Sequence, residues 1–223
     1  MIILDMGSGN TCKNDVLYVE RMIDELAAVD TGKHEIVIKW QLFTECPPNE
    51  VLWLAVFDYA YEYAKKKGYQ TTASVFDLDS LQFLLKYDIP FVKIANRPDL
   101  YWLAGEVPRK IPIYCSFGKF DFIENDCALH TKVGKSIIER LCCISAYPAT
   151  IEQYESEFNY PGYFVDAPVL SHLWRGVSDH TTDFTLYHKY KPVIYECHYK
   201  LNDSTGPDAG LFARTPEQLK EIL

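Results

Sequence analysis

The strongest constraint on the fold is a repeating grammar in which eight short β-prone runs each precede a longer amphipathic or polar stretch, from one end of the 223-residue chain to the other. The runs are residues 2–6 (IILDM), 35–41 (EIVIKWQ), 70–75 (QTTASV), 90–95 (PFVKIA), 111–116 (IPIYCS), 139–146 (ERLCCISA), 175–180 (RGVSDH) and 192–198 (PVIYECH). Strands that alternate with helical patterns build βαβ units and a parallel sheet. Eight such units favour closure into a (β/α)8 barrel over an open sheet. The intervening stretches agree: NDVLYVERMIDELAAV (14–29) and NEVLWLAVFDYAYEYAKKKG (49–68) repeat apolar residues at helical spacing. In the second, Asn49 is the expected N-cap, Lys65 to Lys67 fall in the last turn, and Gly68 can end the helix in the left-handed conformation. Near the C-terminus Thr215, Pro216 and Gln218 make a capping-box pattern. The weakest helical pattern is 151–174, where a shortened or distorted helix is expected. No linker rich in Gly, Pro or Ser divides the chain, so a single domain over 1–223 is expected.

Composition narrows the function classes. A formal charge of −9 is the opposite of a nucleic-acid binder's basic footprint, so such a partner is disfavoured. An anionic substrate must then be held by a few inward-aimed lysines. The opening MIILDMG has only a short apolar run and no basic segment, and no stretch approaches the roughly 18 apolar residues of a membrane helix. Neither a signal peptide nor an anchor is expected. The seven cysteines form no CxxC pair and several fall in expected core strands, which points to reduced thiols and a cytoplasmic setting.

Chemistry in such barrels gathers at the C-terminal ends of the strands. Taken in order, those ends offer Asp5, then Lys39 and Gln41, Ser74, Lys93, Ser116, Ser145 and Tyr147, Ser178 and His180, and finally Glu196 and His198. Side chains alternate across a strand, so Lys39 shares a face with Gln41, and Ser178 shares one with His180. A lysine inside a barrel is costly unless it meets a carboxylate or an anionic ligand. His180 and His198 end neighbouring strands about 4.8 Å apart, so their imidazoles can converge on one ion at about 2.1 Å each. Asp5 or Asp208 is placed to approach the remaining positions. On geometry alone, two satisfied loop histidines are an equally good reading.

The segments VIKWQLF (37–43), SVFDLDSLQFLLKYDIPFVKIAN (74–96), SAYPA (145–149), RGVSDHT (175–181) and VIYECHYKLNDSTGPDAGLFARTPEQLKEIL (193–223) resemble, in order, the signatures of the sialic acid (N-acetylneuraminate) synthase family. The resemblance spans almost the whole chain. It implies condensation of phosphoenolpyruvate with an N-acyl amino sugar, assisted by a divalent metal, usually Mn2+, with Mg2+ or another ion as the alternative. His180 and His198 would be the metal ligands, with Asp5 and Asp208 as nearby catalytic carboxylates. Lys39, Lys93, Ser116 and Ser178 would hold the phosphate and carboxylate of phosphoenolpyruvate, with Gln41 and Ser74 nearby, while Ser145 and Tyr147 would face the sugar. In such a site the metal polarises an aldehyde and the lysines act as electrostatic clamps.

The departures fall mostly on the sugar side. Asp5 stands where the family has a glutamate, followed by Gly9-Asn10 in place of an Asn-His pair. Pro98 of KIANRPDL replaces a glutamate that contacts the sugar, with Asp99 as the candidate substitute, and Ala209 replaces a histidine after GPD. The resemblance implies a homodimer, because the family's barrels pair; its small antifreeze-like domain has no counterpart in these 223 residues, and a separately encoded cap domain is the expectation that follows. A non-catalytic or partner-completed barrel that binds metal and ligand is the alternative to a synthase. A Schiff-base aldolase using Lys93 is a weaker one.

Overall fold

A computed structural model describes residues 1–118, 138–158 and 174–223. Eight parallel strands close in sequence order: β1 (Ile2–Asp5), β2 (Ile36–Leu42), β3 (Gln70–Val75), β4 (Val92–Ile94), β5 (Ile113–Phe117), β6 (Ile138–Cys143), β7 (Gly176–Asp179) and β8 (Ile194–His198). The last strand pairs with the first, and Asp5 stands in register with both Lys39 and His198.

Alternation along each strand divides the barrel into two packed regions. Outward residues such as Ile2, Leu4, Ile38, Trp40, Ile94, Val177 and Cys197 belong to the large core beneath the helices. Inward, Ile3, Val37, Phe91, Leu141 and Ile194 form a separate apolar plug, against which Tyr114 packs with its ring stacked on Phe91. Two positions further along the same strands, the inward residues become Asp5, Lys39, Lys93, Cys143 and Glu196. One periodicity thus builds both a dry floor and the polar layer above it. Gly176 is part of this design, because a Cβ there would lie 2.1 Å from the Ile194 carbonyl oxygen.

The helices are α1 (Gly9–Cys12), α2 (Val16–Val29), α3 (Leu54–Lys66), α4 (Leu78–Leu84), α5 (Ile151–Phe158), α6 (Thr185–Tyr190) and α7 (Pro216–Leu219), with a 3-10 helix at Pro98–Glu106 between β4 and β5. Asp15 caps α2 by accepting from the Leu17 amide, and the buried face carries Val19, Met22, Ile23 and Leu26. Tyrosines tie the second βα unit to α2: Tyr59 donates to Glu20, Tyr63 to Asp24 at 3.0 Å, and Tyr69 to Asp30 at 3.0 Å.

The expected strands all occur, with shifted ends. The sixth stops at Cys143 rather than continuing to residue 146, because the Ile144 carbonyl turns aside to meet the His180 ring. The helix expected from Asn49 begins only at Leu54, with Trp53 at the N-cap. Asn14 accounts for this by donating to the Val51 carbonyl and accepting from the Trp53 amide, which holds the approach outside the helix. Gly68 does adopt the left-handed conformation, and Thr215 and Gln218 form the expected capping box. The weak pattern at 151–174 yields α5, while 159–173 lies outside the described residues, as does Cys127. The described cysteines are free thiols. Among the described residues no helix is long and apolar enough to cross a membrane.

Candidate active site

The C-terminal mouth of the barrel holds a pocket of about 420 Å³, and the candidate residues named above line it, with the exception of Asp99. At its floor Lys39 Nζ donates to Asp5 Oδ2 at 2.7 Å and to Ser74 Oγ at 2.9 Å, and pairs with Glu196 Oε1 at 2.8 Å. Lys93 Nζ donates to Ser116 Oγ at 2.6 Å and to the Ile94 carbonyl at 3.1 Å, and lies 3.5 Å from Glu196 Oε2. Glu196 therefore bridges two lysines, each almost fully buried. A buried ammonium needs such a counter-charge.

The carboxylates differ in character. Burial opposes ionisation of Asp5, but the Lys39 ammonium and His198 hold its carboxyl well below the usual carboxylate range. Glu196 is also lowered, because Lys39 and Lys93 outweigh the effect of burial. Lys39 is raised in turn, with Asp5 and Glu196 overcoming its own desolvation. Asp208 moves the other way, pushed up to about 6 by burial and by the charge on Asp5. Gln41 joins these groups, its amide donating to Asp5 Oδ2 at 3.0 Å and to Asp208 Oδ1 at 3.1 Å. Asn49 donates to Asp208 Oδ2 at 3.4 Å, the role it has in place of a helix cap.

His180 and His198 face each other with ring centroids 5.3 Å apart. His180 Nδ1 lies 2.7 Å from the Ile144 carbonyl, so it carries the proton and leaves Nε2 as a lone-pair donor. Burial, together with His198, lowers His180 to about 4. Burial lowers His198 as well. His198 Nδ1 is buried without a hydrogen-bond partner, 3.7 Å from Asp5 Oδ2 and 3.8 Å from Asp208 Oδ1. Among the described residues no group of three or more His, Cys, Asp or Glu is assembled tightly enough to hold a metal ion. The metal-suited feature is the imidazole pair, with two carboxylates just beyond it.

On the rim, Tyr147 lies over His180 at 4.3 Å between centroids, while Ser145 accepts from the Asn96 amide at 3.0 Å. Asp99, the suggested substitute for the lost glutamate, does not line the pocket and instead forms an exposed pair with Arg97. Arg97 itself reaches the rim. Glu196, offered among the strand ends but given no role, also lines the pocket, as do Asn96 and Phe212, which were not singled out. Glu196 had a detectable signal, since it shares the inward face of β8 with His198.

These features define a class: a (β/α)8 barrel whose strand ends carry a sealed cluster of lysines and carboxylates beside a histidine pair. A family model described as the NeuB family matches residues 51–223, and the chain belongs to that family. Among solved structures, the N-acetylneuraminic acid (sialic acid) synthetase of Leptospira borgpetersenii serovar Hardjo-bovis in complex with citrate is similar over 99% of this chain and 80% of its own, at 22% identity and a TM-score of 0.73. The spore coat polysaccharide biosynthesis protein of Bacillus subtilis matches over 99% and 65%, at 18% identity and a TM-score of 0.70. A truncated 3-deoxy-D-arabino-heptulosonate 7-phosphate synthase of Thermotoga maritima matches over 99% and 82%, at 13% identity and 0.68. Comparison with curated protein sequences gives no match.

Proposed function

We propose that this chain is a synthase that condenses phosphoenolpyruvate with an N-acyl amino sugar or a related aldehyde, assisted by a divalent metal with Mn2+ as the first candidate. In that reaction C3 of phosphoenolpyruvate bonds to the aldehyde carbon, water adds at C2, and inorganic phosphate leaves. The observation that carries the reading is the pair of buried lysines sharing Glu196, at 2.8 and 3.5 Å, on the floor of the pocket at the barrel mouth. Ammonium groups fixed in this way are suited to clamp the phosphate and carboxylate of a small anion. Ser74 and Ser116 add donors beside them. Ion pairing favours this role over a Schiff-base lysine, which must shed its proton to attack.

The histidine pair fits a metal ion. Two imidazoles bound to one ion at about 2.1 Å would place their centroids roughly 5 Å apart, close to the separation found. His180 is oriented through its second nitrogen by a backbone carbonyl, as metal-bound histidines commonly are. A bound ion would supply Lewis-acid polarisation of the aldehyde and a more acidic water. The remaining work falls to the chain's own groups. Lys39 and Lys93 hold the anion, and Tyr147 and Ser145 orient the acceptor at the rim. Asp208, near 6, is matched to taking and returning a proton close to neutral pH. Asp5, held ionised by Lys39, is better suited to orienting Lys39 and Gln41 than to acting as a base.

A partner-completed barrel is the second reading, favoured by Tyr147, whose ring packs against His180 at a tilt yet remains 55% exposed at the mouth. Phosphate release from phosphoenolpyruvate, measured with and without Mn2+ across a panel of aldehydes, tests the proposal. Release is expected only when metal and aldehyde are both present. No release with any aldehyde, despite bound Mn2+, would refute the synthase and leave the ligand-binding barrel.

A further inference from the structure

Behind the histidine pair, on the outer face of the same two strands, lies a second buried polar cluster that none of the roles above uses. Asp179 and Tyr195 alternate with the inward Ser178, His180 and Glu196, so they point away from the lumen. Arg214, from the segment just before α7, reaches this layer and is completely buried. Its Nη1 donates to the Thr181 carbonyl at 2.8 Å and the Phe212 carbonyl at 3.0 Å. Its Nη2 donates to the Asp183 carbonyl at 2.5 Å and pairs with Asp179 Oδ2 at 3.6 Å. The Tyr195 hydroxyl donates to the same Asp179 oxygen at 2.6 Å, and the Thr181 amide donates to the other at 2.7 Å. The Arg214 backbone amide donates to the His198 carbonyl at 2.8 Å.

The contacts therefore straddle both halves of the pair. Thr181 follows His180 directly, the Arg214 backbone is bonded to His198 itself, and the Phe212 ring packs on the His198 ring at 4.9 Å. A rigid planar fork presents five donors in fixed directions, so it holds the Thr181, Asp183 and Phe212 carbonyls in one geometry, where the three donors of a flexible lysine ammonium would fix them less closely. A charge sealed this deeply is costly, and apolar packing would serve stability as well or better. We propose that Arg214 is a positioning residue for the histidine pair: its guanidinium grips the turn after His180 while its backbone amide is bonded to the His198 carbonyl at the end of β8, holding the two imidazoles in convergence before any ligand arrives. The proposal rests on the metal reading given above for its functional meaning, but its geometric content stands apart from it.

The test uses the full chain as wild type, Arg214→Lys, Arg214→Met, and the double variant Asp179→Leu with Arg214→Met. The double variant exchanges a buried ion pair for apolar groups, a replacement that often leaves stability intact. It keeps the experiment decisive where a single variant fails to fold. Metal-free protein is titrated with Mn2+ alone, thermal midpoints are recorded, and the imidazole nitrogens are followed by NMR after 15N-histidine labelling. Folded variants are expected to lose about 10- to 100-fold in Mn2+ affinity, the range seen when outer contacts to metal ligands are removed. The His180 ring is expected to lose its single tautomer, and Arg214→Lys to recover only part of the affinity. Wild-type Mn2+ affinity and unchanged imidazole signals in a folded variant overturn the proposal. So does an affinity loss confined to variants whose thermal midpoint has collapsed, or failure of every variant to fold, since either marks a general scaffold role. If the wild type takes up no Mn2+, the metal reading falls, and the imidazole signals of the metal-free proteins decide the positioning claim.

Discussion

Replacing Glu196 by Gln separates the structural and ligand-binding roles of the pocket floor. Glu196 pairs with Lys39 at 2.8 Å and stands 3.5 Å from Lys93, with all three side chains buried. Breaking a buried pair costs about 3–5 kcal/mol when a charge is left uncompensated. Here Lys39 keeps Asp5 and Ser74, and Lys93 keeps Ser116 and the Ile94 carbonyl. The expected loss is accordingly at the lower end, about 3 kcal/mol, or roughly 6–12 °C in thermal midpoint for a chain of this size. Ligand binding should move the opposite way. At neutral pH the two lysines face Asp5, Glu196 and Asp208, so the floor carries a net negative charge that the variant cancels. One charge about 5 Å from an anionic ligand, at an effective dielectric near 20, is worth up to about 3 kcal/mol. Without metal, phosphoenolpyruvate should raise the melting temperature of Glu196→Gln by more than that of the wild type, as a roughly 10- to 100-fold gain in affinity requires. A midpoint within about 2 °C of wild type, or a ligand-induced rise no larger than wild type, refutes the reasoning that Glu196 is the counter-ion a substrate anion displaces.

Other perturbations probe separate parts of the molecule. Alanine at His180 or His198 should weaken Mn2+ binding by more than the roughly 10- to 100-fold cost of an outer-contact loss, read by calorimetric titration of the metal-free protein. For pH, His180 falls from 6.5 to about 4 on folding, so the unfolded chain binds more protons between those values and stability rises with pH across that window. Asp208 rises from 3.8 to about 6, so its contribution is lost as pH rises through nearly the same window. Asp208→Asn removes the opposing effect, and urea unfolding should show a steeper fall in stability as pH drops from 6.5 to 4 than the wild type displays. Because His180 stays neutral to about 4, Mn2+ affinity should also persist well below the usual histidine range. On the outer surface, Tyr63→Phe removes the solvent-exposed hydrogen bond from α3 to Asp24 and should lower the thermal midpoint far less than Glu196→Gln does.

The barrel was legible because its information is local and periodic. Eight β-prone runs at βαβ spacing determine strand count and topology, and parity along each strand identifies the lumen face. Strand ends were less legible, because tertiary partners set them: His180, 36 positions away in the chain, draws off the Ile144 carbonyl and shortens β6. The helix start expected at Asn49 moves to Leu54 for a related reason, since Asn14 on a neighbouring loop competes for the Val51 and Trp53 backbone. Parity was also enough to place Lys39, Lys93, His180 and His198 in one pocket. It could not rank Glu196 above other inward residues, because its importance comes from two lysines on β2 and β4 reaching one carboxylate across the lumen. Arg214 carries still less local signal. Its sequence neighbours read as the start of a capped helix, and its partners Thr181 and Asp183 lie 33 and 31 positions earlier. Function in this barrel is therefore written at two ranges. Inward parity selects which groups enter the pocket, and outward contacts between distant segments determine how closely those groups converge.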